Sequence, residues 1–169
     1  MKKNLALTGM MGVGKSTIGK ALSKRLSVQF SDIDKIIEIK LKMSIHKIFK
    51  KKGEIFFRKL EEKITLEEMN KKSIVISLGG GAFMNSKIRE SILFNSKSFW
   101  LDMDTELLEK RLIKSKKRPL LDNKNLSETL VKIYKERKKT YAMAGYRINC
   151  DRLNVNLITN KIVKLYAEN

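Results

Sequence analysis

The sequence has little of what a secreted or membrane protein needs. It contains a single cysteine, Cys150, which excludes a disulfide framework within the chain and a metal cluster held by several cysteines. It also lacks any run near the roughly 18 consecutive apolar residues of a membrane-spanning helix. We therefore expect a reducing, cytoplasmic compartment with no membrane partner, and we interpret Cys150 as a small buried apolar residue.

Acidic and aromatic residues are also scarce. The chain has 18 Asp and Glu against 37 Lys and Arg, a formal net charge of +19, and only 7% aromatic residues. Such a charge suits either nucleic acid or small anionic substrates, but the lysines are scattered along predicted helix faces and are not gathered beside stacking aromatics. We expect small anions, steered by the positive field, and no nucleic acid partner. A basic nucleic-acid-binding ATPase remains the alternative.

Linker-like and repetitive segments are missing as well. Pro119 is the only proline, and the chain has no internal repeat or low-complexity tract. A length of 169 residues with 42% hydrophobic residues is enough for one core. The prediction is a single domain over residues 1–169, expected to be a monomer.

The clearest motif present is a phosphate loop. The segment 9–17, GMMGVGKST, fits the pattern G-x-x-x-x-G-K-[ST] and directly follows the apolar run 5–7, which we interpret as a first strand and not as a targeting peptide. Glycines turn the backbone so that its N–H groups surround a polyphosphate. Lys15 is expected to reach the β- and γ-phosphates and Ser16 to ligate Mg²⁺. The predicted nucleotide-binding residues of this loop are Gly9, Gly12, Val13, Gly14, Lys15, Ser16 and Thr17.

Two carboxylates follow the next predicted strand, which covers residues 28–31. Asp32 and Asp34 lie two positions apart, so in a strand they would point the same way, at the edge of a parallel sheet where ligands bind. Asp32 is then a candidate metal or metal-water ligand, and Asp34 a candidate base for an acceptor hydroxyl. The alternative is that both acids cap a following helix over residues 35–42.

Residues 43–70 have helical periodicity, capped at Ser44 and interrupted at Gly53. The apolar face of the second half is expected to hold Phe56, Leu60 and Ile64. The opposite face carries a charged triplet, Glu54, Arg58 and Glu61. This spacing of i−4 and i+3 around the arginine would fix a guanidinium in place, although ordinary surface ion pairing is the alternative.

A strand of the buried type covers residues 73–78 and ends in three glycines, Gly79 to Gly81. Consecutive glycines let a ligand approach the main chain closely, whereas the alternative is a flexible turn.

The rest of the chain continues to alternate between strands and helices. Strands are predicted at 99–101 and 146–150, and helices at 105–113, 126–142 and 158–166, with Ser127 as the cap of the second of these helices. The cationic segment around Pro119 is interpreted as a mobile loop between two helices. The alternation predicts a three-layer α/β fold with a parallel sheet.

An ordered set of motifs now identifies a resemblance over nearly the whole chain. The set comprises the phosphate loop, Asp32-x-Asp34, Phe57-Arg58-x-x-Glu61, the three glycines, Arg118-Pro119-Leu120 and Glu136-Arg137-x-x-x-Tyr141. In this order the motifs resemble shikimate kinase. The resemblance implies transfer of the ATP γ-phosphoryl group to the 3-hydroxyl of shikimate, a step toward chorismate and the aromatic amino acids. It also implies a P-loop fold with a five-stranded parallel sheet, a substrate-binding helical insertion near 33–61 and a lid near 112–124.

The resemblance also implies roles for single residues. Asp32 is similar to the magnesium-associated aspartate and Asp34 to the catalytic base. The residues implied in binding shikimate are Phe49, Phe57, Arg58, Glu61, Gly80, Gly81 and Arg137, with Glu61 orienting Arg58. Arg118 resembles a lid arginine that reaches the transferring phosphate, and Arg111 an arginine that stacks on adenine. Another small-molecule kinase of the same fold, acting on gluconate or a nucleotide, is the competing interpretation.

Overall fold

The computed structural model describes residues 3–114 and 125–168. The strands in this part of the chain are β1 (Asn4–Thr8), β2 (Gln29–Asp32), β3 (Ile74–Ser77), β4 (Ser96–Asp102) and β5 (Tyr146–Asn149). The helices described are α1 (Lys15–Leu26), α2 (Ile33–Leu41), α3 (Ile45–Met69), α4 (Ser86–Asn95), α5 (Thr105–Lys114), α6 (Leu126–Tyr141) and α7 (Val155–Ala167), and a 3₁₀ turn covers Ala82–Met84.

The five strands form one parallel sheet in the order β2-β3-β1-β4-β5. The central strand β1 is buried along its whole length, and Leu7 is in register with Ser77 of β3 and Phe99 of β4. Continuous apolar runs such as Ile74 to Ile76 fit a parallel sheet that is covered on both faces. The predicted α/β fold with a five-stranded parallel sheet is confirmed.

The direction of the crossovers explains the three layers. The chain moves from β1 to β2 in one direction along the sheet and from β3 to β4 in the other. Right-handed crossovers in opposite directions place α1 and α4 on opposite faces. Consistent with this, α1 contacts α7, whereas α4 contacts α3 and β4. Loops leaving β1 and β3 therefore diverge, and such a switch point is where open α/β sheets bind ligands.

Several helix boundaries were predicted correctly. Ser44 caps α3, since its hydroxyl accepts a hydrogen bond from the Lys47 amide at 3.4 Å. Gly53 interrupts α3 with φ 79° and ψ 168°, a left-handed φ that costs glycine little.

Cys150 is fully buried, and this burial raises the pKa of its thiol to about 12, in agreement with a packing role.

Other boundary predictions were wrong. Ser127 does not cap α6, because the helix already begins at Leu126 after Asn125. Helix α4 was not anticipated: only Ile88 and Ile92 are buried on it, while Phe94 is 80% exposed, so its sequence has no clear apolar stripe. Strand β4 begins at Ser96 and not at residue 99. Tertiary structure satisfies the polar start of this strand, since the Ser96 hydroxyl donates to the Ile92 carbonyl at 2.6 Å.

The buried face of α3 also differs from the expected one. Phe56 is 38% exposed, and its neighbour Phe57 is buried in its place together with Glu61 and Ile64. Counting apolar residues alone missed this face because it contains buried carboxylates, which need partners supplied by the fold.

The predicted lid lies mostly outside the described residues. Its first part is helical, since α5 continues to Lys114, and its remainder, including Arg118 and Pro119, falls in 115–124. None of the helices in the described ranges is long and apolar enough to cross a membrane.

Candidate active site

The phosphate loop connects β1 to α1 with three glycines in conformations that other residues avoid. Gly9, Gly12 and Gly14 have φ values of 137°, 81° and 104°. Crowding adds a second requirement at Gly9, where a Cβ would lie 2.4 Å from the Leu101 carbonyl oxygen. The loop thus depends on glycine for both backbone conformation and space, and it ends at the N-terminus of α1, where the helix dipole favours an anion.

Lys15, the first residue of α1, turns back over this loop. Its ammonium group donates to the carbonyls of Gly9 at 2.8 Å and Met10 at 2.9 Å, and the side chain is buried. These two bonds fix the start of the loop and the position of the Lys15 ammonium group relative to each other. A fixed positive charge therefore lies at the place where a polyphosphate would bind.

Arg111 supports the loop from α5. Its Nη1 donates to the Val13 carbonyl at 3.2 Å, and a Cβ placed on Gly12 would lie 3.1 Å from the Leu112 side chain. Helix α5 therefore packs directly on the phosphate loop. The position of Arg111 at the rim is compatible with the adenine contact implied for it.

A cleft of about 330 Å³ opens beside the loop. The phosphate loop, the end of β2 and the end of β3 all contribute to its walls. The lining residues are Gly12, Gly14, Lys15, Ser16, Thr17, Asp32, Asp34, Ser77, Leu78, Arg111 and Leu112. Another groove, of about 380 Å³, lies on the outer side of Arg58, but no residue of the phosphate loop lines it.

Asp32 and Asp34 both line the cleft. We expected both to follow the alternation of a strand, but Asp34 lies on a helix. Asp32 ends β2 and caps α2, its Oδ1 accepting from the Lys35 amide at 3.3 Å, while Asp34 lies in the first turn of that helix. Asp32 is thus a helix cap and a cleft residue at once. Its Oδ2 is buried and has no hydrogen-bond partner in the part of the chain the structure describes. A buried carboxylate oxygen of this kind needs water or a cation.

The three glycines form the floor of the region next to this cleft. A Cβ on Gly79 would lie 2.3 Å from Glu61 Oε1 and 2.8 Å from Asp34 Oδ1. A Cβ on Gly81 would lie 2.7 Å from Arg58 Nη2. Glycine is therefore required here because charged side chains pack directly on the backbone, and a freely flexible turn does not account for the motif.

Arg58 is held at this floor by two glutamates. Its Nη1 donates to Glu61 Oε2 at 2.7 Å and its Nε to Glu54 Oε1 at 3.2 Å, so the predicted spacing produces both ion pairs. The exposed Glu54 pair resembles ordinary surface pairing, but Glu61 is only 1% exposed. Two fixed bonds leave the Nη2 edge of the guanidinium against Gly81.

Glu61 is an unusually buried acid. Burial raises its pKa above the ordinary value, and the charge of Arg58 opposes this shift only in part. Asp34 and Arg137 are close enough to contribute to the same shift, with opposite signs. Four charged side chains from three helices therefore converge over the triple glycine.

Arg137 reaches the same place from α6. Its Nη1 donates to the Gly80 carbonyl at 3.1 Å, and the Tyr141 hydroxyl donates to the same oxygen. The chemical consequence is a pair of arginines, Arg58 and Arg137, around one short stretch of backbone. Planar guanidinium groups suit the directed recognition of a carboxylate.

Two phenylalanines flank Arg58 on its own helix. The rings of Phe49 and Phe57 lie with centroids 4.6 Å apart, and the Arg58 guanidinium carbon lies 5.9 Å and 5.2 Å from their respective centres. An apolar wall of this kind strengthens electrostatic interactions by excluding water.

The fold thus brings together every proposed site residue within the described ranges, while Arg118 lies outside them. Two polar participants were not given a role from the sequence. Ser77, which pairs in register with Asp32, lines the cleft, and Tyr141 bonds to Gly80. The β2-β3 pairing was the missing signal for Ser77, since only strand order shows which strand ends are neighbours.

Comparison with known proteins addresses the family directly. The family model described as shikimate kinase matches residues 11–167. The chain belongs to the shikimate kinase family. A shikimate kinase of Bartonella henselae is 39% identical over 160 residues, covering 95% of this chain and 76% of the relative. One of Sulfurihydrogenibium sp. is 40% identical over 161 residues, covering 95% and 96%.

A solved structure extends the agreement to three dimensions. The shikimate kinase from Acinetobacter baumannii, in complex with shikimate, has a TM-score of 0.93 and 33% identity, covering 98% of this chain and 93% of that one. As a shikimate kinase family member, the chain is an ATP-dependent phosphotransferase. The resemblance inferred from the ordered motifs is confirmed.

Proposed function

We propose that this chain transfers the γ-phosphoryl group of ATP to the 3-hydroxyl of shikimate, giving shikimate 3-phosphate and ADP. The observation that carries the proposal is a juxtaposition. Asp34 lines the same cleft as Lys15 and also lies against Gly79, next to the arginine pair. Asp34 therefore lies between a cationic site suited to phosphate and a pair of arginines suited to a carboxylate.

The acceptor is proposed to bind over the triple glycine. Arg58 and Arg137 would pair with its carboxylate, and Glu61 would keep Arg58 oriented through the 2.7 Å bond. Gly80 and Gly81 would allow the ring hydroxyls close to the main chain, and Phe49 and Phe57 would wall the site. The arginine pair suits an acceptor with a carboxylate, whereas a nucleotide acceptor would need a slot wide enough for a base.

The chemical step requires a base and a positive field. As the hydroxyl oxygen forms its bond to the γ-phosphorus, its proton passes to Asp34, and the bond between that phosphorus and the ADP oxygen breaks. Lys15 would neutralise charge on the β- and γ-phosphates throughout. Arg118, implied by resemblance alone, is proposed to add a second positive charge.

Mg²⁺ fits the residues present. Ser16 and the buried Oδ2 of Asp32 would hold it directly or through water, and it would supply charge neutralisation on the phosphates when bound. Water molecules and the substrate phosphates supply most of the ligands of Mg²⁺ in such sites, so a cluster of three protein acids is not needed. The described residues contain no such cluster.

A coupled assay of ADP release with shikimate tests the function, and a gel shift with RNA and DNA at physiological salt tests the alternative. We expect turnover that requires ATP, Mg²⁺ and shikimate together, and no shift. Gluconate in place of shikimate is the control, since it offers a carboxylate and hydroxyls on an open chain. ADP release with gluconate but not with shikimate would contradict the proposal. We still expect the enzyme to be a cytoplasmic monomer, and a sedimentation measurement tests its oligomeric state.

A further inference from the structure

The carbonyl of Gly80 accepts two hydrogen bonds from one helix. Arg137 Nη1 donates at 3.1 Å, and the Tyr141 hydroxyl donates to the same oxygen. Residues four apart on a helix lie on one face, so both donors approach from the same side. A carbonyl oxygen has two lone pairs, and both are used here.

Tyr141 is itself held rigidly. Its ring is fully buried and stacks on Trp100 with centroids 6.0 Å apart. Its hydroxyl also lies 4.0 Å from the Met10 sulfur in the phosphate loop. Burial raises the pKa of the hydroxyl, with Arg137 opposing the shift, so the group remains a hydrogen-bond donor at neutral pH.

Gly80 lies between the phosphate loop and the guanidinium of Arg137. A Cβ placed on it would lie 3.4 Å from the Met11 amide nitrogen of the phosphate loop and 3.9 Å from Arg137 Nη1. With glycines on both sides, the Gly80 peptide has little conformational preference of its own. The Gly79 and Gly81 carbonyls on either side accept from the Ala82 and Met84 amides, so the direction of the Gly80 carbonyl is set by these turns together with its two side-chain donors.

We propose that Tyr141 is a positioning residue for the acceptor substrate, which acts by fixing the Gly80 carbonyl and through it the guanidinium of Arg137. This inference rests on the proposed function. Without the hydroxyl, the Gly80 carbonyl loses one of its two side-chain donors, and Arg137 is anchored to a less firmly held oxygen. Lys15 keeps its own bonds to the Gly9 and Met10 carbonyls, so we expect nucleotide binding to change less than acceptor binding.

Tyr141→Phe tests the assignment by separating two Michaelis constants. We expect the KM for shikimate to rise about three- to tenfold, the effect of losing one hydrogen bond, with the KM for ATP unchanged within about twofold. Tyr134→Phe is the matched control, because it deletes a hydroxyl on the same helix that bonds instead to Asp102 Oδ1 at 3.0 Å. An equal rise in both variants would overturn the proposal, since the effect would then come from anchoring the helix.

A double-mutant cycle tests whether Tyr141 acts through Arg137. In an Arg137→Lys background, Tyr141→Phe should change the KM for shikimate by less than about twofold, because the group it positions has already been altered. Independent, multiplicative effects would overturn the mechanism. Assays are run well below the melting temperature of each variant, so reduced stability cannot imitate a change in saturation.

Failure of the positioning role and failure of the proposed function give different results. If the wild type turns over shikimate and Tyr141→Phe saturates like it, only the positioning role is overturned. If the wild type does not turn over shikimate, the proposed function falls, and this inference falls with it.

Discussion

The nucleotide side and the acceptor side of the site are built in different ways. The phosphate loop is one continuous segment, residues 9–17, with its shape stored in glycine φ values and in the two bonds of Lys15. The acceptor side is assembled from side chains of α2, α3 and α6, which meet over the backbone of the three glycines after β3. The first should therefore depend on local backbone, and the second on helix packing. Asp34 belongs to both.

Asp34→Asn should produce the largest effect, because Asp34 joins the two sides. Loss of a general base costs about 10²- to 10⁴-fold in rate, so kcat should fall in this range while ATP binding is nearly unchanged. Steady-state kinetics and a nucleotide-binding titration measure the two quantities. Asp32→Asn is the comparison variant, and it should mainly raise the magnesium concentration needed. Identical behaviour of the two variants would show that our division of roles is wrong.

Lys15→Met should affect the nucleotide side alone. We expect a folded protein whose kcat is lower by about 10²- to 10³-fold, the typical loss when one preorganised charge is removed from a transferring group. The KM for shikimate should change little. Lys20→Met, an exposed lysine on the same helix, is the control. Retention of more than a tenth of wild-type turnover would contradict the assignment of Lys15.

Arg58→Ala and Arg137→Ala should affect the acceptor side alone. Removing one partner of a desolvated charge pair costs about 2–5 kcal/mol, so the KM for shikimate should rise at least about 30-fold with the KM for ATP spared. Saturation curves for each substrate measure this. Lys59→Ala removes an exposed cation beside Arg58 and should leave both constants near wild type. Unchanged shikimate saturation in either arginine variant would assign that arginine a structural role.

Glu61→Gln should give the smallest effect, and one that depends on pH. Burial raises the pKa of Glu61 in the folded protein, so the folded state binds more protons than the unfolded chain at mildly acidic pH. The wild type therefore loses stability as pH rises through the interval above the unfolded pKa of about 4.3, whereas glutamine cannot ionise.

Urea unfolding at about pH 4.5 and pH 7 measures this difference, because linear extrapolation gives the unfolding free energy at each pH. The stability of the variant relative to wild type should be more favourable at the higher pH, while its KM for shikimate is raised by the loss of the charge that orients Arg58. A relative stability that instead falls with pH would mean that attraction to Arg58 outweighs the burial of Glu61.

The two regions also differ in what sequence could predict about them. The phosphate loop was predictable because its motif is contiguous and its glycines encode backbone geometry directly. The ion pairs of Arg58 were predictable in the same way, since helical spacing fixes which side chains meet. The burial of Phe57 and Glu61 in place of Phe56 was not, because the apolar pattern of α3 does not show which face the fold covers.

By itself, then, the sequence determined the local geometry: the alternation of strands and helices, the phosphate loop, and the charged triplet of α3. The family followed from motifs in a fixed order. Tertiary structure alone decided which strand ends are neighbours and therefore that Gly79 meets Glu61 and Asp34, that Ser77 lies beside Asp32, and that Gly80 is held by Tyr141. The physical reason is that these contacts join residues far apart in the chain, so they depend on strand order and helix packing, which local propensity does not encode.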